Sequence, residues 1–422
     1  DGLVDLYVTN SAGTKKNFLY KNLGGNNMEL VTGISPVTDL FSSRNVSWSD
    51  IDSDGDLDLY VTNENGEKEN LYRNNGGGSF EKMTDLIITT DGFNTMSSSW
   101  GDIDNDGDLD LFLANDGSKN QLFRNEGNFV FTRVLTTDVS KVNAKSFSSA
   151  WADIDNDGDL DLFVTNAFQN GQRLKNNLYL NDGTGHLTEV TNEVVVMDEG
   201  WSYGCAFGDY DNDGFQDLAV ATTRFGNVDE ADYLYHNNGN SNHWLMVSLE
   251  GNVSNKSAIG AKIRVKAIVN GTAVWQMREI SAQSAYCSQN DMRAHFGLAD
   301  ATLVDSMVIE WPSGIRQYRT GVLPNQILDI EEDLVNAVRE ELPSFGFKVF
   351  PNPTNSVIQM EAQFSESLKV LMVEVFGDTG QVIYKTTFSN VSGHWQHQID
   401  LRKFQLTPGQ YIVRVGNGLS AE

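Results

Sequence analysis

Closely spaced aspartates recur along this sequence in a pattern that suits the binding of a hard metal ion. The clearest copy has the spacing D-x-D-x-D-G-x-x-D, with carboxylates at Asp153, Asp155, Asp157 and Asp161. Calcium takes six to eight oxygen ligands, and carboxylates crowded on one tightly turned loop supply them. The sixth place is Gly158, which permits the positive φ that bends the backbone around an ion. We expect the seventh-place carbonyl, that of Asp159, to point inward as a further ligand.

An EF-hand loop begins in the same way, so the flanking residues must distinguish the two motifs. An EF-hand needs a glutamate at its twelfth place and a helix on each side. Here the twelfth place is Val164, and the flanking residues are β-branched and aromatic, which is typical of strands. The pattern therefore predicts a calcium loop between two β-strands.

The loop occurs four times in complete form and once in part. The predicted ligands of the other three complete loops are Asp50, Asp52, Asp54, Asp56 and Asp58; Asp102, Asp104, Asp106, Asp108 and Asp110; and Asp209, Asp211, Asp213, Phe215 and Asp217. At the start of the chain, Asp1, Leu3 and Asp5 match the fifth, seventh and ninth places of a partial site. We expect one calcium ion in each complete loop. The ninth places, at residues 5, 58, 110, 161 and 217, are 51 to 56 residues apart, which indicates a repeat architecture.

Each repeat carries the same succession of strand signals around its loop. The first strand ends in an aromatic residue two places before the first aspartate, at Trp48, Trp100, Trp151 and Phe207. Three more strands follow, as at 57–63, 70–74 and 79–84, and four strands in about fifty residues predict a β-propeller blade. The aromatic residues could form a ladder that stacks a ligand, but packing between neighbouring blades is the favoured interpretation.

These repeats resemble the FG-GAP or VCBS repeats of integrin α-chain propellers and of many bacterial surface proteins. Residues 207–220 lie close to that pattern, and the resemblance covers roughly residues 1–240. It implies calcium at the loop carboxylates and an all-β propeller of seven blades in the full protein, of which about five are present here. The fifth repeat lacks a fourth strand after Tyr233–Asn238, so we expect an upstream strand, lost with the rest of a truncated N-terminus, to complete it.

A second stretch, residues 241–331, is rich in strands and has no metal loop. Its blocks at 255–265, 276–280, 294–298 and 308–314 resemble the ASPIC/UnbV domain, although Ala299 stands where that family usually has glycine. Propeller repeats followed by this domain are similar to the cartilage acidic protein family, which implies an extracellular calcium-binding protein. His295 has no second ligand at metal-binding spacing, so we predict a packed structural histidine.

The C-terminal part begins with charged residues 332–345, which predict a linker with one or two helical turns. Residues 346–422 contain Pro351-Asn-Pro353 and the segment 409–415, which resemble the C-terminal sorting domain of type IX secretion. The resemblance implies an immunoglobulin-like β-sandwich, with strands at 357–360, 370–376, 381–384 and 410–415. It also implies the type IX machinery as a partner and a secreted or cell-surface protein. Because that family normally continues further, we expect a truncated C-terminus as well.

Composition argues against several classes of protein. The chain has 58 acidic and 30 basic residues, a net charge of −28. Nucleic acid is therefore a poor partner, because lysine and arginine are what displace the counterions of a phosphate backbone. No apolar run approaches the length of a membrane span. Cys205 and Cys287 are predicted to lie in different domains and are too few for a disulfide framework.

Two functions remain open. The favoured one is a non-catalytic, calcium-stabilised protein that binds an extracellular glycan or a surface protein. Its binding loops would be the variable connections Ser35–Ser43, Thr90–Thr95, Thr136–Lys145 and Asn166–Lys175, which include Phe41, Phe93 and Phe168. The alternative is a secreted enzyme acting on polysaccharide, with catalytic residues in the propeller channel or in missing blades. No catalytic motif is present, and nearly every recurrent residue already has a metal or packing role.

Overall fold

The computed structural model describes residues 2–416 except 12, 141–142, 224–228, 334–345, 351–356, 378–381 and 405–411. The chain divides into two compact units, residues 1–334 and 335–422. Nearly all of the described regular structure is β-strand. The Pro351–Pro353 motif and residue Asp1 lie outside the described residues, and so does the predicted linker 332–345 except for its first two residues.

Five groups of antiparallel strands make up the first 235 residues, one group for each repeat, and the third and fourth groups are joined into one eight-stranded sheet. They are β1 (Leu6–Val8), β2 (Phe18–Asn22) and β3 (Met28–Leu30); β4 (Ser43–Ser49), β5 (Asp58–Asn63), β6 (Asn70–Asn74) and β7 (Phe80–Met83); β8 (Thr95–Gly101), β9 (Asp110–Lys119), β10 (Gln121–Asn125) and β11 (Phe131–Arg133); β12 (Asn143–Ala152), β13 (Asp161–Asn166), β16 (Asn177–Asn181) and β17 (Leu187–Val190); and β19 (Ser202–Gly208), β20 (Asp217–Thr222) and β21 (Tyr233–Tyr235). The small strands β14 (Phe168–Gln169), β15 (Gln172–Lys175) and β18 (Glu199–Gly200) form a separate sheet. Among the described residues the fifth group has three strands, which agrees with the absence of a fourth-strand signal.

Single helical turns precede the first strand of four blades. They are α1 (Ser35–Thr38), α2 (Ile87–Thr90), the 3-10 turn Asp138–Ser140 and α3 (Val194–Met197). The sequence analysis did not predict them, because four residues are too few to show a helical period. The hydroxyl of Tyr60 on β5 donates a hydrogen bond to the carbonyl of Ile88, which fixes the turn α2 against the blade that contains β5.

The metal loops join the first and second strands of their blades, in the same register each time. The residue before the first aspartate pairs with the ninth-place aspartate, as Ser49 with Asp58 and Ala152 with Asp161. The corresponding pairs in the other two blades are Gly101 with Asp110 and Gly208 with Asp217. This register confirms that the loops are β-turn-β loops. It also places the connections between blades at the opposite ends of the strands.

The recurrent aromatic residues pack between blades, as predicted. Each lies edge-on to an aromatic ring on the second strand of the preceding blade, with ring centroids 5.6 to 6.4 Å apart. The pairs are Trp48 with Tyr7, Trp100 with Tyr60, Trp151 with Phe112, and Phe207 with Phe163. Edge-to-face packing of this kind adds about 0.5–1.5 kcal/mol to the stabilisation from burial. The same aromatic contact therefore joins each blade to the one before it.

The first strands of neighbouring blades lie side by side. Serine hydroxyls join them, with Ser47 Oγ 3.1 Å from Ser98 Oγ and Ser99 Oγ 2.8 Å from Ser149 Oγ. Small side chains at these positions let neighbouring backbones approach closely. The strands β4, β8, β12 and β19 thus form one continuous row across the blades.

The second module, residues 243–333, belongs to the same compact unit as the blades. It contains β22 (His243–Glu250), β23 (Lys262–Val269), β24 (Thr272–Glu279), β25 (Ala294–Ala299), β26 (Val304–Glu310), β27 (Arg316–Val322) and β28 (Gln326–Glu331). One sheet has the order β25-β22-β28 and the other β24-β23-β26-β27. Their inner faces share one core that includes Ile263, Phe296 and Met307. Ala299 has a φ of 46°, the left-handed backbone that suits the glycine usual at this place.

The C-terminal unit contains one four-stranded antiparallel sheet of β29 (Gly346–Phe350), β30 (Val357–Phe376), β31 (Val382–Asp400) and β32 (Ile412–Gly416). A 3-10 turn at Leu401–Phe404 directly follows β31. The two strands predicted at 357–360 and 370–376 are one strand, because the residues between them contain neither glycine nor proline to break it. Both halves of β30 contribute to a common core, through Ile358 and Val373. An immunoglobulin-like topology stays a prediction.

Candidate metal centres

The four complete loops share one backbone conformation. The sixth-place glycines, Gly55, Gly107, Gly158 and Gly214, have φ between 93° and 105°. The residue at the fourth place also has a left-handed backbone conformation, with φ of 58° to 60° at Ser53, Asn105, Asn156 and Asn212. Asparagine tolerates this conformation better than most residues, so the fourth-place asparagines have a structural role that the sequence analysis missed.

The ninth-place aspartate holds each loop closed. One oxygen of Asp58 accepts the backbone N–H of Ile51 at 3.2 Å, and the other accepts that of Asn74 at 2.8 Å. The same two bonds occur at Asp110, Asp161 and Asp217. In the partial first repeat, Asp5 accepts the N–H of Asn22 at 2.8 Å. These carboxylates therefore hold the start of the loop and the end of the third strand together through backbone hydrogen bonds.

In the last three repeats, the asparagine that follows the third strand or ends it links neighbouring loops. The side-chain amide of Asn125 donates to Ile51 O at 3.0 Å, that of Asn181 to Ile103 O at 2.7 Å, and that of Asn237 to Ile154 O at 2.7 Å. Each bond runs from one blade to the metal loop of the blade before it. The recurrence of asparagine at this place, as Asn74, Asn125, Asn181 and Asn237, was the available signal for this role.

In every complete loop, three aspartates bring carboxylate oxygens within 4.8 Å of one another. The sets are Asp50, Asp52 and Asp54; Asp102, Asp104 and Asp110; Asp153, Asp155 and Asp161; and Asp209, Asp211 and Asp217. A further set joins Asp211 and Asp213 to His236. The fifth-place Asp106 and Asp157 fall outside these sets. The carbonyl ligands predicted at Asp56, Asp108, Asp159 and Phe215, and Leu3 of the partial site, stay predictions.

The burial and the raised pKa values of several loop carboxylates are consistent with a bound cation. Oδ1 of Asp50 and both side-chain oxygens of Asp102 are buried and accept no hydrogen bond from the described residues. Burial raises the pKa of Asp58 to about 8, of Asp102 to about 7 and of Asp153 to about 8. Keeping such groups ionised requires nearby positive charge. An all-oxygen donor set of carboxylates is one that calcium prefers.

The second module packs directly on the metal loops. Lys262 Nζ lies 2.9 Å from Asp50 Oδ2, and Arg264 Nη1 lies 3.5 Å from Gly107 O. The N–H of Gly297 donates to Asp153 Oδ2 at 3.0 Å. Arg293 donates to Asp209 O and to Asn212 Oδ1, each at 2.6 Å. Every complete loop is thus in contact with the module, and none of these contacts has a local sequence signal.

Residues 281–293, here called the inserted loop, extend from the module along β12 and β19. Tyr286 N donates to Ser148 Oγ at 3.0 Å, and Ser288 Oγ donates to Cys205 O at 2.7 Å. Asn290 Oδ1 accepts the N–H of Phe207 at 2.9 Å. Cys205 is buried and Cys287 is exposed, both as free thiols. The two cysteines therefore lie in contacting segments of one compact unit.

His295 has the structural role predicted for it. Its Nε2 lies 3.2 Å from the carbonyl of Gly214, so this nitrogen carries the proton. Burial lowers the pKa of the imidazole to about 3, which keeps it neutral. His295 therefore joins the module to the fourth complete loop as an uncharged donor.

Disabling one loop is expected to loosen its own blade and the module strand above it. Asp153 accepts the N–H groups of Asp157, Gly158 and Gly297, so Asp153→Ala with Asp157→Ala removes bonds on both sides of the contact. Bonds to charged acceptors contribute about 1.5–3 kcal/mol each. Hydrogen exchange should accelerate at 161–181 and 294–299 and stay unchanged at 58–74. Asp85→Ala, an exposed carboxylate outside the loops, is the control, and equal acceleration throughout residues 2–333 would contradict this local effect.

Repeated blades with one acidic loop each are the fold of the FG-GAP proteins, and the family profile agrees. The "FG-GAP-like repeat" profile matches residues 1–61, 50–113, 102–164 and 167–220, which together cover half of the chain. The chain belongs to this family. The "ASPIC and UnbV" profile matches residues 251–337, and the "Secretion system C-terminal sorting domain" profile matches residues 348–421.

Two cartilage acidic proteins are similar to this chain over about 70% of its length. The chain is 26% identical over 309 residues to cartilage acidic protein 1 of Xenopus tropicalis, covering 70% of this chain and 46% of that protein. It is 25% identical over 308 residues to cartilage acidic protein 1 of Homo sapiens, covering 71% and 45%. Integrin alpha-4 of Xenopus laevis is 34% identical over 94 residues, 20% of this chain and 9% of that protein. The chain thus spans less than half the length of the two cartilage acidic proteins.

The type IX sorting domain indicates a secreted or cell-surface protein, as predicted. Within the part of the chain that the structure describes, no helix is long and apolar enough to cross a membrane.

Proposed function

We propose that this protein is a non-catalytic, adhesion-type protein of the cell exterior that binds calcium and, when calcium is bound, an extracellular glycan or surface protein. The observation that carries the calcium assignment is the recurrence of one loop geometry with converging carboxylates, and loops 50–58 and 102–110 also have buried carboxylate oxygens that accept no hydrogen bond from the described residues. The proposed ligands are the aspartates of the four complete loops, with a seventh-place carbonyl in each. The FG-GAP repeats and the integrin and cartilage acidic protein relatives support an adhesion role.

The proposed binding surface lies at the end of the blades opposite the metal loops. Five aromatic residues gather there, and we call them the aromatic group: Phe147, Phe168, Trp201, Tyr203 and Tyr286. Phe168 and Trp201 lie 4.2 Å apart between centroids, and Phe147 and Tyr203 lie 4.6 Å apart. All but Phe147 are partly exposed. Aromatic rings with apolar faces and polar edges suit ligands that are apolar on one side and hydroxylated on the other.

The aromatic group also explains why binding should depend on calcium. Tyr286 comes from the inserted loop of the second module, whereas the other four residues come from the blades. The module is held on the metal loops by Lys262, Arg293 and Gly297. Loss of calcium is expected to loosen this docking and to withdraw Tyr286 from the surface.

A glycan array and a pull-down from cell surfaces, each with calcium and with EGTA, test the proposal. Trp201→Ala should weaken the binding that is found by roughly tenfold or more, because a central aromatic contributes most to such an interface. Trp275→Ala, a partly exposed tryptophan on β24, should leave binding unchanged. Binding that is indifferent to both EGTA and Trp201→Ala would refute the proposed surface.

The polysaccharide enzyme is less well supported, because the sequence carries no catalytic motif. The cavity between the first strands of the blades and the module, beside Arg278, Glu279 and His295, measures about 140 Å³. An open groove beside Glu193 and His236 measures about 800 Å³, which lies within the roughly 300–1,000 Å³ usual for sites that hold small organic ligands. Cleavage of an arrayed polysaccharide, abolished by substitution of a carboxylate outside the metal loops, would favour the enzyme instead.

We also propose the domain limits 1–240, 241–331 and 346–422, with 332–345 as a linker, and the type IX machinery as the partner of the last domain. The matched ranges 251–337 and 348–421 support these limits. The division of the chain into two compact units near residue 334 supports the position of the linker.

A further inference from the structure

A single position on the third strand of each blade faces the metal loop. It is the residue directly before the strand's final asparagine, and it is occupied by Lys21, Arg73, Arg124, Leu180 and His236 in the five repeats. The final asparagine is fixed to the ninth-place aspartate through its backbone N–H. The side chain before it is therefore held beside the same loop in every blade.

In three complete repeats this residue contacts the third-place aspartate. Arg73 Nη2 lies 2.7 Å from Asp52 Oδ2 and 3.3 Å from Asp54 Oδ2. Arg124 Nε lies 2.8 Å from Asp104 Oδ2. His236 Nε2 lies 3.0 Å from Asp211 Oδ2. Each of these contacts places a basic group on a carboxylate that the proposed calcium ion would also use.

Loop 153–161 is the exception, because Leu180 occupies the position. Leucine cannot pair with Asp155, and none of the five aspartates of this loop forms an ion pair with a described residue. The charge of Arg278 lowers the pKa of both Asp102 and Asp153, against the larger effect of burial. It also lowers the pKa of Asp159, so its charge reaches two carboxylates of loop 153–161 and one of loop 102–110. The nitrogens of Arg278 donate to the carbonyls of His295 and Met277 and to Gln276 Oε1, so the guanidinium does not occupy a carboxylate of either loop.

Loop 50–58 is the opposite extreme. Besides Arg73 on Asp52 and Asp54, it has Lys262 of the second module on Asp50. All three carboxylates that converge there are thus already paired with cations. A calcium ion entering this loop meets two positive charges at contact distance.

We propose that this third-strand residue sets the calcium affinity of its loop, so that loop 153–161 is the tightest site and loop 50–58 the weakest. This inference rests on the proposed calcium binding. A unit charge at contact distance from the carboxylates repels a divalent ion and competes for the same oxygens. Even in a high-dielectric surface site, this changes affinity by roughly tenfold or more.

Titration of the whole chain with Ca²⁺ by calorimetry, and with Tb³⁺ by tryptophan-sensitised luminescence, tests the ranking. The wild-type protein should fill one site before the others. Asp155→Asn should abolish that first site, whereas its counterpart Asp104→Asn should leave it intact. A first site that survives Asp155→Asn would overturn the ranking. A wild-type protein that binds neither ion would refute the proposed calcium binding itself.

Exchange of the third-strand residue tests its role without altering a ligand. Leu180→Arg should weaken the first site by roughly tenfold or more, and the uncharged Leu180→Met should not. Arg124→Leu should strengthen loop 102–110 by a similar factor, which is a gain that misfolding cannot imitate. Unchanged affinities in both Leu180→Arg and Arg124→Leu would overturn the inference, and if Leu180→Arg does not fold, Arg124→Leu decides it.

Discussion

Removal of calcium should lower the midpoint of thermal unfolding by on the order of 10 °C and expose the thiol of Cys205. A ligand that binds only the folded state stabilises it by RT ln(1 + [L]/Kd). With dissociation constants of about 10⁻⁴–10⁻³ M, as in extracellular modules, four sites at about 2 mM calcium contribute roughly 3–7 kcal/mol. For a domain of this size each kcal/mol moves the midpoint by about 2–4 °C.

The thiols report on the module separately from global unfolding. Cys205 is buried beside Ser288 of the inserted loop, and burial raises the pKa of its thiol to about 12. Cys287 is exposed. A chromogenic disulfide reagent should therefore titrate one thiol in calcium and two in EGTA, because the module is docked on the metal loops.

The measurement is made below the unfolding temperature in EGTA, with far-ultraviolet circular dichroism showing that the strands persist. Adding calcium back should restore both the midpoint and the protection of Cys205. An unchanged midpoint and one reactive thiol after verified metal removal would contradict the calcium assignment. A lower midpoint with Cys205 still protected would show that calcium stabilises the blades without controlling the docking of the module.

Lys262→Met is expected to destabilise the metal-free protein by about 3–5 kcal/mol. The ammonium group lies 2.9 Å from Asp50 Oδ2, and both side chains are only 6% exposed. It also donates to Asp50 O at 3.2 Å and to Ser53 Oγ at 3.3 Å. The neighbouring Glu279 accepts the N–H of Asp50, and burial raises its pKa to about 7 while Lys262 acts to lower it. Methionine preserves the length of the side chain but leaves two buried acids without their cation.

The loss should be smaller in calcium, because an ion in loop 50–58 supplies the missing charge to Asp50. Urea unfolding with calcium and with EGTA measures both values. The control is Lys256→Met, which removes an exposed lysine paired with Glu250 and should cost less than about 1 kcal/mol. Equal, small losses for the two variants would show that Lys262 does not hold the module on the loop.

The metal loops and the aromatic contacts between blades were predictable because their signals are local. Asp153 to Asp161 lie within nine residues, so spacing alone places the carboxylates on one turn between strands. Trp151 stands two places before the loop, and this fixed distance determines which face of β12 it occupies. Its edge-on contact with Phe112 followed from the blade architecture. The ninth-place aspartate was identified as a ligand, but its bonds to two backbone N–H groups were visible only in the structure.

By itself, the sequence determined the repeat, the loops, the order of the domains and the secreted or surface location, since each depends on residues close together in the chain. Only the tertiary structure decided what surrounds each loop. Asp50 and Lys262 are 212 residues apart, and Asp50 and Glu279 are 229 apart, so no periodicity links them. The difference between Leu180 and Arg124 likewise acquires meaning only when the third strand lies beside the loop. Pairing across such distances is set by how folded sheets meet, which neither spacing nor composition encodes.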